Sequence, residues 1–275
     1  MKAIEHEVST TPPLDKSAVG DPQQTGLEID PLSRMGPRVH LEPPARVGAG
    51  AVLEGPLWAG PGLRVHPNAL VGGPAQHREG GSGVLELGEG VEVRECATIH
   101  RGSSVGSGVT RIGSRVMVMA YAHIGHDAQV GDDVVLANGA QVGGHVHIGE
   151  GAVLAARCAV HQFVRVGRGA MVAAGALVSG DVPPWTLVAG DRARIVGPNV
   201  VGLRALGDQA SASRLRKAIR LLFPKVGESP VAPGELIGAM PVPEEAAADP
   251  ALSDLIAFLE ASSQRPLCGR PGRGG

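Results

Sequence analysis

From Ile112 onward, every sixth position is aliphatic: Ile112, Val118, Ile124, Val130, Leu136, Val142, Ile148, Leu154, Val160, Val166, Val172 and Val178. Four residues after each comes a small or β-branched side chain: Val116, Ala122, Ala128, Val134, Ala140, Val146, Ala152, Cys158, Val164, Ala170, Ala176 and Val182. A period of six fits neither the 3.6 of an α-helix nor the 2 of a two-faced strand. It is the period of a β-helix, in which each hexad supplies a short strand and a turn. Three hexads close a triangular coil of about 18 residues, and stacked coils bury one continuous aliphatic core.

Two earlier blocks obey the same rule. Leu41, Val47, Leu53, Ala59, Val65 and Val71 form one, and Leu87, Val93, Ile99 and Val105 form the other. The stretch 72–86 interrupts the repeat as a loop, and one extra residue falls between Val105 and Ile112. The predicted solenoid spans 29–200. Residues 1–28 are polar, contain prolines and lack the repeat, so they read as a disordered tail.

Beyond Gly202 the spacing turns helical. Leu215, Ile219 and Leu222 mark one face of a helix near 211–223, with Ser211 or Ser213 as its cap. Leu252, Leu255, Ile256 and Leu259 mark a second near 250–262. The expected architecture is an all-β solenoid with a small α-helical C-terminal domain over 201–268 and a disordered tail over 269–275.

Composition agrees with a solenoid. Hydrophobic residues make up 43% of the chain but aromatic ones only 2%, so bulk in the core must come from aliphatic side chains. A net charge of -2 gives no reason to expect nucleic acid or an anionic membrane as partner. Cys96, Cys158 and Cys268 are too few and too scattered for a disulfide framework or a zinc site, and Cys96 and Cys158 read as core residues. No apolar run approaches the roughly 20 residues of a transmembrane segment, and the N-terminus lacks the apolar centre of a signal peptide. A cytoplasmic protein is expected.

Ten histidines are present, and the middle coils hold His123, His126, His145, His147 and His161. An 18-residue coil stacks His126 beside Gly144 and Gly144 beside Gln162. It also stacks Asp127 beside His145 and His145 beside Phe163. An imidazole, a carboxylate and a side-chain-free residue thus share one edge. Imidazole titrates near neutrality, which makes His126 a candidate general base. Asp127 would fix its tautomer, and the Gly144 N–H would stabilise an oxyanion. Two other readings stand beside this one: polar residues on solvated turns, and a zinc site. Zinc needs three convergent ligands, whereas His123 and His126 lie on different hexads.

The segments Arg94-Glu95-Cys96-Ala97-Thr98-Ile99-His100-Arg101-Gly102, Ala122-His123-Ile124-Gly125-His126-Asp127, Leu136-Ala137-Asn138, Gly143-Gly144-His145, Val160-His161-Gln162-Phe163, Asp181-Val182-Pro183-Pro184 and Gly197-Pro198-Asn199-Val200-Val201-Gly202-Leu203 follow one another in fixed order. In that order and spacing they resemble segments of the UDP-N-acetylglucosamine O-acyltransferases. The resemblance spans about 29–268. It implies a left-handed coil, which the periodicity does not give, and a homotrimer with sites between subunits. It implies an acyl carrier protein thioester as donor, a nucleotide sugar as acceptor, no cofactor and no metal. The reaction would be the first step of lipid A biosynthesis. His126 would deprotonate the sugar 3-hydroxyl, Asp127 would orient it and Gly144 would serve the oxyanion. His123, His145, His161 and Gln162 would line the site, and His100 and Asn199 would contact the nucleotide sugar.

The chain departs from that family at the acceptor contacts. His77 stands where the family has an Asp, Val201 replaces a Glu, and Ala205-Leu206 replaces an Arg pair, leaving Arg204 nearby. Ala174 replaces a Gly that helps set acyl-chain length, so a shorter pocket is expected. The alternatives are a related enzyme that N-acylates an amino sugar, or a paralogue without catalysis. Arg214, Arg216, Lys217 and Arg220 make the first C-terminal helix basic, either to dock an acidic carrier protein or as a solvated face.

Overall fold

Short strands that alternate one side chain in and one out can bury only half their residues, so they must close around a shared axis. In the computed structural model, which describes residues 26–81, 83–205, 209–223, 232–240, 243–261 and 263–269, they do so as a left-handed parallel β-helix. Every third strand pairs with its predecessor, giving sheets of ten, eight and seven strands as the three walls of a triangular prism. The first wall includes Met117–Val118, Val135–Leu136 and Val153–Leu154; the second, His123–Ile124, Gln141–Val142 and Ala159–Val160; the third, Gln129–Val130, His147–Ile148 and Arg165–Val166. His123 pairs with Gln141 and Gln141 with Ala159, a step of eighteen residues.

The repeat positions form the core. Ile124, Leu136, Leu154, Val142 and Val172 are fully buried, as are the small residues Ala128, Ala140, Ala152 and Cys158. Full burial of one such aliphatic side chain contributes about 1.5–3 kcal/mol. From Arg115 to Gly175 the chain turns each corner through a left-handed residue, with φ of 60° at Asp127, 59° at His145 and 65° at Phe163. That conformation costs a residue other than glycine about 1–2 kcal/mol. Cys96, read as core, is instead a half-buried corner residue with φ 57°.

Two excursions leave the coil. Leu53 pairs with Val71 at the regular step, but Leu57 pairs with Leu85 twenty-eight residues on, so ten residues are added. They fall between Leu70–Gly73 and Val84–Leu87, a narrower interruption than 72–86 because both flanks are strand. Ile99 pairs with Ile124 twenty-five residues on, so the second insertion is seven residues, not one. Val105, which the spacing assigns to the core, is therefore on a loop and 48% exposed, and Ile112 takes the next core position.

The first strand, Leu27–Ile29, begins inside the segment read as a tail, and pairs with Ala45–Val47; residues 1–25 lie outside the described residues, as do 270–275 of the second tail. At the other end the coil closes with an antiparallel pair, Thr186–Ala189 and Arg194–Pro198. Among the described residues four α-helices and one 3₁₀ turn (Pro233–Glu235) follow: α1 (Val200–Ala205), α2 (Gln209–Leu222), α3 (Pro243–Ala247) and α4 (Pro250–Glu260). Leu215, Ile219, Leu252 and Leu255 are buried between them. Neither predicted serine caps α2: Ser211 is buried and donates to Asp249 Oδ2 at 2.7 Å, and Ser213 is exposed. Asp249 caps α4 through Ala251 N and Leu252 N. Among the described residues, no helix is long and apolar enough to cross a membrane.

Candidate active site

One edge of the prism carries the corner residues at 126–127, 144–145 and 162–163. His126 ends the turn after Ile124 and is 8% exposed; Asp127 is 2% exposed. Their side chains meet, His126 Nδ1 lying 2.7 Å from Asp127 Oδ2. Stacking brings Gly144 onto the ring: a Cβ there would stand 2.9 Å from His126 Cε1 and 2.9 Å from Nε2. Gly143 N–H bonds to Val160 O and His145 N–H to His126 O. The Gly144 N–H between them has no acceptor among the described residues. The His145 ring crosses His126 at 5.0 Å between centroids and lies flat on Phe163 at 4.5 Å.

Asp127 is held from outside the coil by the seven-residue insertion. Its Oδ2 accepts from Ser103 N at 3.0 Å and Ser103 Oγ at 2.7 Å. Its Oδ1 accepts from Gly108 N at 2.9 Å and faces Ser107 Oγ at 3.1 Å. Its N–H donates to the buried Thr110 Oγ1 at 2.8 Å. Gly106 lets the loop close, since a Cβ there would meet Asp127 Cγ and His145 Cε1, both at 2.5 Å. Burial pushes the Asp127 pKa up, but hydrogen bonds from Ser103, His126 and Ser107 outweigh it and hold the group below its ordinary value. Burial lowers His145, with Asp127 opposing.

Other predicted residues surround this pair. His123, on the second wall, meets Thr98 Oγ1 at 2.8 Å and the His100 ring at 5.2 Å between centroids. Burial, then His100 and His126, pushes its pKa down to about 4. His100 is buried and donates from Nδ1 to Pro74 O at 2.5 Å. His77 reaches over from the ten-residue excursion, its ring 6.0 Å from His126. His161 and Gln162 sit one coil further along, exposed and tied to Arg265, whose NH2 group is 2.9 Å from His161 Nδ1 and whose Nε donates to Gln162 O.

Three predicted residues lie elsewhere in the chain. Asn199 donates to Gly169 O and accepts from Gly202 N, capping α1 at the end of a second edge. Arg204 is exposed on α1, as are Val201 and Ala205; Leu206 is outside the described residues. Ala174 is exposed at a corner of the third edge. Within one chain none of the three meets His126. Of the basic residues of α2, Arg214 turns inward to Asp249 at 2.5 Å, while Arg216, Lys217 and Arg220 are exposed.

A cavity of about 460 Å³ opens beside Asp127, His145 and Phe163, lined also by Ser107, Ser263 and Gln264. A larger groove, about 700 Å³, follows the charged third wall to Phe258 and does not touch His126. Residues around the site absent from the sequence reading include Ser103, Ser107 and Thr110 of the insertion and the strand that follows it, and Ser263, Gln264 and Arg265 of the C-terminal segment. The broken register between Ile99 and Ile112 was the available signal for the first three.

His126, Asp127 and His145 each offer a ligand atom, and these lie within 4.8 Å of one another. Both Asp127 oxygens are already occupied by hydrogen-bond donors, so a metal ion would have to displace them. The arrangement instead suits proton removal at His126 Nε2 next to a free N–H.

A family profile described as UDP-N-acetylglucosamine O-acyltransferase, domain 2, matches residues 181–268, and one for bacterial transferase hexapeptides matches 110–144. The acyl-[acyl-carrier-protein]–UDP-N-acetylglucosamine O-acyltransferase of Azorhizobium caulinodans is 43% identical over 251 residues, covering 90% of each chain. Its counterpart in Syntrophobacter fumaroxidans is 44% identical over 200 residues, covering 71% of this chain and 77% of the relative. The solved UDP-N-acetylglucosamine acyltransferase of Francisella novicida superposes with a TM-score of 0.69 at 29% identity, over 89% of this chain and 91% of that one. The chain belongs to the UDP-N-acetylglucosamine O-acyltransferase family.

Proposed function

We propose that this protein moves a fatty acyl group, a 3-hydroxyacyl in particular, from acyl carrier protein to the 3-hydroxyl of UDP-N-acetylglucosamine, the opening step of lipid A biosynthesis. The observation that carries this reading is the His126–Asp127 contact of 2.7 Å with Gly144 against the far side of the ring. His126 Nε2 takes the hydroxyl proton as the sugar oxygen attacks the thioester carbonyl. Asp127 accepts from Nδ1 and stabilises the imidazolium. The oxyanion forms beside the Gly144 N–H. When the intermediate collapses, the C–S bond breaks and the imidazolium returns its proton to the departing thiolate. No covalent enzyme intermediate is needed.

The same reading makes the protein a homotrimer. Outward positions of a solvated wall are expected to be polar. The third wall carries Glu86, Arg111, Gln129, His147 and Arg165 beyond an exposed Trp58, whereas the first carries Glu28, Arg46, Arg64 and Glu92 in its early coils but Met117, Val135, Val153 and Met171 in its later ones. A neighbouring copy on that apolar face would also bring Asn199, Arg204 and Ala174 to an edge they cannot reach in their own chain. His100, His123, His145, His161, Gln162 and His77 would then complete the acceptor and donor contacts.

The test incubates the purified protein and its His126→Ala variant with acyl carrier protein thioesters and UDP-N-acetylglucosamine. The expected loss is about 10²–10⁴-fold. Equal turnover by both proteins removes the general-base role. Turnover of a 3-amino analogue but not of UDP-N-acetylglucosamine would replace the acceptor.

A further inference from the structure

We propose that Ser103, with Ser107 as a second donor, is the positioning residue that fixes the tautomer of His126 through Asp127; this rests on the acyl-transfer reading above. The inserted loop is mostly exposed, yet it sends one side chain inward. Ser103 is 1% exposed, while Ser104, Val105 and Ser107 face solvent. Burying a hydroxyl is unfavourable unless it is hydrogen-bonded. The Ser103 hydroxyl donates at 2.7 Å to Asp127 Oδ2, the same oxygen that faces His126 Nδ1.

Three donors converge on Oδ2 and the Gly108 N–H fills Oδ1. A carboxylate so surrounded stays ionised and can only accept. The ring nitrogen against it must then be Nδ1–H, which leaves the lone pair on Nε2, toward Gly144. Ser107 adds to the clamp less firmly, because its single proton is shared between Asp127 Oδ1 at 3.1 Å and Val109 O at 3.0 Å. Without the Ser103 hydroxyl, Oδ2 keeps only the Ser103 N–H beside His126, and its hold on the Nδ1–H tautomer weakens.

Ser103→Ala should lower kcat by about tenfold or more, the worth of one charge-assisted hydrogen bond, with KM for the sugar nucleotide unchanged. Ser103→Thr should restore most of the rate. In an Asp127→Asn background, Ser103→Ala should bring no further loss. Spectra of ¹⁵N-histidine protein, with His126 assigned by His126→Ala, should show the Nδ1–H form in the wild type and a mixture in Ser103→Ala. If Ser103→Ala does not fold, Ser107→Ala at an exposed position should still give a smaller loss and a smaller spectral change. Unchanged kcat and unchanged spectra in a folded Ser103→Ala variant overturn the proposal. Absence of wild-type turnover would sink the acyl-transfer reading alone, since the nitrogen signals still decide the tautomer.

Discussion

Gly144 is stacked on His126 so closely that a single methyl group would stand 2.9 Å from both Cε1 and Nε2 of the imidazole. Real side chains do not approach this closely, and the ring is the part able to move. Gly144→Ala should therefore rotate His126 out of line while the buried coil stays intact. We expect kcat to fall by about 10²-fold or more, in the range that general-base catalysis contributes, with a Tm change of only a few degrees. A variant of near wild-type activity would separate this residue from the reacting atoms.

Acid should weaken the fold before it protonates the carboxylates. His123 is held down to about 4 by burial and by His100 and His126, against an ordinary 6.5. The unfolded chain takes up a proton in that window and the folded one does not, so stability is full above 6.5 and is lost as pH falls toward 4. The slope amounts to about 1 kcal/mol per pH unit for such a group. His145 is displaced in the same direction and adds to it. Melting curves of the wild type should fall between pH 7 and 5, and those of His123→Gln should fall less. Parallel curves would mean that His123 protonates freely in the folded protein.

The apolar outer face of the first wall's later coils, from Met117 to Met171, predicts self-association. Met171→Glu places a charge among Val153, Leu187 and their neighbours along the ladder. Light scattering should show a trimer in the wild type and a smaller species in the variant. Activity should fall with assembly if Asn199 and Arg204 act from a neighbouring copy. A monomeric wild type with full activity would remove the role of the interface.

Ala174 occupies an exposed corner, where one methyl group more or less changes the room beside the wall. If that corner bounds the acyl pocket, Ala174→Gly should extend the longest donor accepted. A panel of acyl carrier protein thioesters of increasing length measures this, and an unchanged profile would place the boundary elsewhere.

The coil and the His126–Asp127–Gly144 edge were legible because both depend on a fixed step of eighteen residues. The stack of His145 on Phe163 follows from the same step. Val105 shows where such reading stops: it satisfies the hexad spacing and is nonetheless exposed. An aliphatic residue at the right interval cannot reveal that the chain has left the wall. The clamp of Ser103 on Asp127 was hidden for the same reason, since a loop's return path is set by contacts across coils rather than by local period. The strap that ties Arg265 to His161 joins residues more than a hundred positions apart, and no periodicity links them.

The two excursions differ from the coil in how freely they can change. Each coil touches only the ones above and below it, and pairing resumes at the regular eighteen-residue step with Arg111, which pairs with Gln129. A loop rooted at a corner can thus lengthen, shorten or change its side chains without shifting any strand. In this chain the ten-residue excursion carries His77 and the seven-residue one carries Ser103. The imidazole proposed as base sits on the periodic frame, while His77 and the Ser103 clamp sit on appendages beside it. Descendants of such a chain could acquire a new acceptor by exchanging an appendage while inheriting the chemistry unaltered.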